Sequence, residues 1–111
     1  MISIISPIYN EADNLSELYN RVITAAERTG EKFEFILVEN GSRDRSLEII
    51  KGLRKKDPRV KFIRLSRNFG HQGAIIAGLT NASGRAVISL DGDLQHPPEI
   101  IPELVRLWKA G

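Results

Sequence analysis

Cysteine is absent from the 111 residues, which excludes disulfides, thiolate zinc sites and a cysteine nucleophile; a reducing cytoplasm is compatible with that absence. No apolar run approaches the roughly 18 residues of a membrane span, and no basic stretch precedes an apolar one at the N-terminus, so neither a spanning segment nor an export signal is expected. Charge of one sign is not in excess either. Sixteen Lys and Arg against fourteen Asp and Glu give a net +2, too little to argue for nucleic acid. Three phosphate or nucleophile signatures are also missing: the Gly-x-x-x-x-Gly-Lys-Ser/Thr loop, a Gly-x-Gly-x-x-Gly turn after the first apolar run, and a Ser-centred elbow. Their absence argues against a Walker-type ATPase, an ordinary dinucleotide fold and an α/β-hydrolase nucleophile.

What is present fits one soluble globular domain, with 41% hydrophobic and 27% charged residues and no repeat or linker. The charge is unevenly spread. Eight of the basic residues and a single acid, Asp57, lie between Lys51 and Arg67, so one side is expected to be basic. For Lys51, Arg54, Lys55, Lys56 and Arg59 a solvated helix face is favoured over a nucleic-acid site, because no aromatics interleave with them. An anionic membrane surface stays open as a partner.

Four short runs rich in Ile, Val and Phe read as strands: Ile2 to Ile8, Phe33 to Val38, Val60 to Leu65 and Ala86 to Leu90. Several are apolar almost throughout, as strands covered on both faces are. Between them lie helical periods. Leu15, Leu18, Tyr19, Val22, Ile23 and Ala26 share one face, with Asp13 or Asn14 as the N-cap and Gly30 as the stop. A second helix starts after Asp44, turns Leu47, Ile50 and Leu53 inward and ends before Asp57-Pro58. The third covers Gln72 to about Asn81, and the fourth follows Pro97-Pro98 with Ile100, Ile101, Leu104, Val105 and Trp108 inward. The order βαβαβαβα, with strands about 25 to 30 residues apart, predicts a three-layer α/β/α domain with a parallel sheet.

Ligands of such sheets bind outside the carboxyl ends of the strands. Asp91 and Asp93 emerge there around Gly92, directly after the fourth strand. Two carboxylates so close suit Mg²⁺ or Mn²⁺ shared with substrate phosphates, though Asp and Gly are also ordinary turn formers and both readings stand. Glu39, Asn40 and Ser42 could contact a base or ribose, with a helix-capping loop favoured for Ser42 and Asp44. In Asn68-Phe69-Gly70-His71, Gly70 reads as turning the chain and His71 as structural or exposed; His96 reads as a metal ligand, a phosphate contact or an exposed loop residue, and Arg64 and Arg67 as able to reach phosphate.

Four blocks then fall into order: Ser6-Pro7-Ile8-Tyr9-Asn10-Glu11, Val38-Glu39-Asn40-Gly41-Ser42-Arg43-Asp44, Leu65-Ser66-Arg67-Asn68-Phe69-Gly70, and Leu90-Asp91-Gly92-Asp93-Leu94-Gln95-His96-Pro97-Pro98-Glu99. Together they resemble family 2 of the glycosyltransferases, with the GT-A fold, and within it the polyprenyl-phosphate sugar transferases typified by dolichol-phosphate mannose synthase. The resemblance implies sheet order 3-2-1-4 and a metal site at Asp91, Asp93 and Gln95, with Asp91 and Asp93 as the catalytic aspartates. It further implies nucleotide-sugar binding by Pro7, Tyr9, Asn10, Glu11, Glu39, Asn40, Gly41, Ser42, Asp91, Gly92 and Asp93. The family usually carries Asp-Asp or Asn-Asp where Glu39-Asn40 stands, and Ala where Gly92 stands, the second change being expected to matter little.

The implied reaction is inverting, metal-dependent transfer of a sugar from a nucleotide diphosphate sugar, of the GDP-mannose or UDP-glucose type, to a polyprenyl or dolichyl phosphate. Residues 1–111 would be the nucleotide-binding half of that domain, weak or inactive alone, with an apolar sheet edge inviting self-association. The expected location is the cytoplasm, peripheral on the membrane face. The competing readings are a non-catalytic nucleotide or metal module, an aspartate-nucleophile phosphatase and a basic interaction domain. In the phosphatase case Asp-x-Asp normally follows the first strand, whereas here it follows the fourth.

Overall fold

A computed structural model describes residues 1–111. The elements run β1 (Ile2–Ile8), α1 (Leu15–Glu27), β2 (Phe33–Glu39), α2 (Ser46–Lys56), β3 (Val60–Arg64), α3 (Gly70–Asn81), β4 (Ala86–Ser89), a 3-10 turn (Pro98–Ile100) and α4 (Ile101–Lys109). All strand pairs are parallel and the sheet order is β3-β2-β1-β4, as expected. Strands three and four end one residue earlier than the apolar runs suggest, and α3 starts at Gly70, two residues ahead of expectation.

Every residue of β2 is buried, because helices cover both faces of the sheet at its centre. The main core lies on one face, where Ile2, Ile4, Phe35 and Leu37 meet Leu18 and Val22 of α1, Ile50 of α2 and Val105 of α4. On the other face α3 stands alone, with Ala74 over Ile5, Ile36 and Val38. The edge strands β3 and β4 are only partly buried.

The fourth helix departs from its sequence reading. Ile101 and Val105 are buried, but Ile100, Leu104 and Trp108 are exposed, as is Leu107. Nothing covers the outer side of β4, so residues facing that way form the wall of an apolar groove of about 450 Å³ with Val87 and Ile88. The basic run is also less free than its composition suggests. Arg59 forks onto Asp57 at 3.0 Å through Nε and Nη2 and reaches Glu27, and Lys61 pairs with buried Glu34 at 2.6 Å. Lys51, Arg54 and Lys55 remain as an exposed face of α2.

These pairs close the amino-terminal end of the sheet. Glu34 also accepts from Ser3 Oγ and the Ser83 amide, which ties β1, β2, β3 and the approach to β4 at one carboxylate. Burial alone would raise that carboxyl; the hydrogen bonds from Lys61, Ser3 and Ser83 hold it below the usual range instead.

Candidate functional site

The chain lays β1, β2 and β3 outward in one direction and then returns to place β4 on the other side of β1, so the strand order reverses between β1 and β4. At the carboxyl end of that reversal lies an open cavity of about 330 Å³. A crevice at this position follows from the topology, because neighbouring crossovers leave the sheet in opposite directions there. Pro7 comes from the end of β1 and Tyr9 and Glu11 from the loop after it, Asn40 from the loop after β2, Asn68, Gly70 and His71 from the start of α3 and the loop before it, and Asp91, Gly92 and Asp93 from the loop after β4.

Seven of the residues expected at the nucleotide therefore share one cavity: Pro7, Tyr9, Glu11, Asn40, Asp91, Gly92 and Asp93. The other four, Asn10, Glu39, Gly41 and Ser42, do not line it and hold the loops together. Asn10 sits at a left-handed φ of 52°, and its Oδ1 accepts from the Arg43 and Asp44 amides while its own amide donates to Ser42 Oγ at 2.9 Å. Glu11 N donates to Ser46 Oγ and Ala12 N to Asp44 Oδ2. Burial would raise the Asp44 carboxyl, but its bonds from Ser46 and Ala12 keep it below the usual range. Asp44 thus serves the loop, although the N-cap of α2 is Arg45, with no side-chain cap bond, and not Ser42 or Asp44 as the capping reading expected.

Glu39 is 2% exposed and accepts from the Ser42 amide at 2.7 Å and the Gly41 amide at 3.3 Å. Both oxygens are engaged with their own turn. Gly41 has φ +79°, and a Cβ there would stand 2.7 Å from the Arg67 carbonyl carbon and the Asn68 nitrogen. Only glycine fits this close approach of two loops.

Gly92 is buried between its two aspartates. A Cβ on it would lie 2.9 Å from Pro7 O and 2.8 Å from Ile8 Cδ1, so the loop after β4 rests its backbone on the end of β1. Alanine, the commoner residue in the resembling family, would require that backbone to shift, contrary to the expectation of little effect. Asp91 is bracketed by two imidazoles: His71 Nε2 stands 3.7 Å from one carboxylate oxygen and His96 Nδ1 3.5 Å from the other. Gln95 is exposed and outside the cavity lining; its backbone N–H donates to Asp93 Oδ1 at 3.1 Å.

No Lys or Arg lines the cavity, and Arg67 instead lies over the Phe69 ring at 4.3 Å. No three His, Asp or Glu side chains converge as a metal cage. Two hard carboxylates in the lining, Asp91 and Asp93, suit a cation shared with ligand phosphates, the kind of site in which Mg²⁺ or Mn²⁺ takes one or two carboxylates only. Asn68, Gly70 and His71 also line the cavity, although the sequence assigned none of them to the nucleotide site and read His71 as structural or exposed. Their signal was the block from Leu65 to Gly70 at the end of a strand.

Known proteins resemble the chain in sequence and in fold. The sequence profile of Glycosyl transferase family 2 matches residues 3–111. An uncharacterized glycosyltransferase, YkcC of Bacillus subtilis, is 48% identical over 98% of this chain and 34% of its own length. The undecaprenyl-phosphate 4-deoxy-4-formamido-L-arabinose transferase of Edwardsiella ictaluri is 47% identical over 99% of this chain and 34% of its own. The chain thus spans about a third of these relatives. Among solved structures, S. aureus TarS 1-349 superposes with a TM-score of 0.75 at 22% identity, covering 98% of this chain and 32% of that one. The mannosyltransferase PcManGT of Pyrobaculum calidifontis, in complex with GDP-Man and Mn²⁺, gives 0.74 at 23% identity over 83% of this chain and 27% of its own. Both are likenesses of fold, and the fold is that of GT-A glycosyltransferases. With its four strand-end loops in place and the match running nearly end to end, the chain belongs to glycosyl transferase family 2.

Proposed function

We propose that residues 1–111 form the nucleotide-sugar-binding half of the GT-A domain of an enzyme that transfers a sugar from a nucleotide diphosphate sugar to a polyprenyl phosphate. One observation carries this reading: Asp91 and Asp93 share a cavity with the loops after β1 and β2 at the reversal of strand order. The relatives named for transfer to undecaprenyl phosphate supply the acceptor class.

In this reading Asp91 and Asp93 hold a divalent cation, Mg²⁺ or Mn²⁺, whose chemistry is to neutralise the departing diphosphate. The lining offers no Lys or Arg for that charge. Pro7, Tyr9 and Glu11 wall the side where the nucleotide lies. Gly92 lets the loop that carries both aspartates rest its backbone on the end of β1, which fixes them at the cavity. A lipid phosphate oxygen bonds to the anomeric carbon as the bond from that carbon to the diphosphate oxygen breaks, and a single displacement of this kind inverts the carbon. An anionic acceptor needs no strong base, so stabilising the leaving group is the larger task. The acceptor places the whole protein at a membrane face, and the uncovered edge of β4 gives this part of the chain an apolar surface for self-association.

Calorimetric titration of UDP, GDP, UDP-glucose and GDP-mannose, with and without Mn²⁺, tests the reading. Cation-dependent binding that Asp91→Ala abolishes is expected, with little or no sugar transfer by these residues alone. Binding that is indifferent to both cation and Asp91 would overturn it.

A further inference from the structure

Two side-chain amides join the loop after β2 to the loop before α3, and their partners fix which way each faces. Asn40 is 4% exposed and uses both ends: Nδ2 donates to Gly70 O at 3.1 Å and Asn68 Oδ1 at 3.2 Å, while Oδ1 accepts from the Phe69 amide at 3.0 Å. A peptide N–H requires the oxygen and a peptide carbonyl requires the NH₂, so the orientation is unambiguous. Asn68 Oδ1 also accepts from the Gly70 amide at 2.7 Å. Its oxygen is thereby turned into the loop, and Nδ2 is the end left for a ligand in the cavity that both asparagines line. An aspartate at position 40 has no donor for Gly70 O or Asn68 Oδ1 and would set a negative charge against both oxygens.

We propose that Asn40 is a positioning residue that makes no contact with the nucleotide. It acts through Asn68, whose Nδ2 donates to an oxygen acceptor of the bound nucleoside diphosphate. The contact made by Asn68 rests on the nucleotide-binding reading above; the clamp made by Asn40 does not.

The test combines amide hydrogen exchange by NMR with calorimetric titration of UDP and GDP in the presence of Mn²⁺. In Asn40→Asp and Asn40→Ala, the Phe69 and Gly70 amides should exchange at least roughly tenfold faster. Both nucleotides should weaken by at least roughly tenfold, with the ratio of their dissociation constants unchanged within about twofold. Asn68→Asp keeps the oxygen that accepts from Gly70 and Asn40, so those amides should exchange as in the wild type while nucleotide binding falls at least roughly tenfold. Unequal loss between UDP and GDP in Asn68→Asp assigns its contact to the base; equal loss assigns it to the ribose or phosphates. If Asn40→Asp does not fold, Asn40→Ser takes its place with the same expectations.

Unchanged exchange in the Asn40 variants overturns the clamp. A changed UDP-to-GDP ratio in Asn40→Asp makes Asn40 a base reader and overturns the proposal, as does unchanged binding in Asn68→Asp. A wild type that binds neither nucleotide sinks the functional reading together with the Asn68 contact, whereas the exchange data decide the clamp alone.

Discussion

Replacing Asp57 by Asn is expected to destabilise the fold by about 2–3 kcal/mol at neutral pH. Asp57 is 5% exposed and accepts from Tyr19 Oη at 2.8 Å, from the Arg59 amide, and from Arg59 Nε and Nη2 as a fork, each at 3.0 Å. The Arg59 guanidinium, first among these partners, holds its carboxyl at about 2 against an ordinary 3.8. A displacement of that size is worth about 2 kcal/mol of linkage, and the amide adds the cost of an NH₂ set against donors. Because the folded value is the lower one, the stabilisation is complete above about pH 4 and disappears as pH falls through about 2. Urea unfolding followed by far-UV circular dichroism, run on both proteins from pH 7 to pH 2.5, should show the gap between them narrowing below pH 4. A variant within about 0.5 kcal/mol of the wild type at pH 7, or a gap that stays flat across the range, would refute the reasoning.

Glu34→Gln should lower stability by about 1–3 kcal/mol, since it removes the charge that holds Lys61 and leaves an amide facing the Ser3 and Ser83 donors. The Glu34 contribution should also decline below the ordinary carboxyl range, because the folded carboxyl is held low; thermal melts at pH 7 and pH 3 check this. Gly92→Ala should cost about 1–3 kcal/mol or move the loop after β4, with heteronuclear NMR showing shifts confined to residues near Pro7, Ile8 and Asp91. Val87→Lys on the outer edge of β4 should reduce self-association in sedimentation velocity without lowering the melting temperature by more than a few degrees.

Much of the fold is legible in the apolar runs. Ile2 to Ile8 and Phe33 to Val38 read as strands, several of the four runs being apolar enough to be covered on both faces, and the spacing between runs fits crossover helices. The order of the sheet came through the resemblance, since nothing local in β4 says on which side of β1 it lies. Periodicity also could not tell that Leu104 and Trp108 lack a cover, because an apolar stripe reports a preference for burial and not the presence of a partner. At the site, Asp91 and Asp93 were visible from chemistry and position. Glu39 and Asn10 have the right residue types for ligand recognition, yet each is consumed by amides of neighbouring loops. The Asn40 bond to Gly70 spans thirty residues, and only the folded chain brings its two ends together. Asn68 and His71 were given no ligand role for the complementary reason: in a linear sequence an asparagine and a lone histidine are ordinary loop residues.

The most direct measurement adds Mn²⁺ and a nucleoside diphosphate to ¹⁵N-labelled protein and maps paramagnetic broadening of the amide signals. Broadening centred on Gly92 and Asp93 and reaching Tyr9, Glu11 and His71, while Glu34, Asp57 and Ser83 at the opposite end stay sharp, is the predicted result. Broadening at that opposite end, or none at the loop after β4 under saturating nucleotide, would contradict a cation and nucleotide site at the reversal of the sheet.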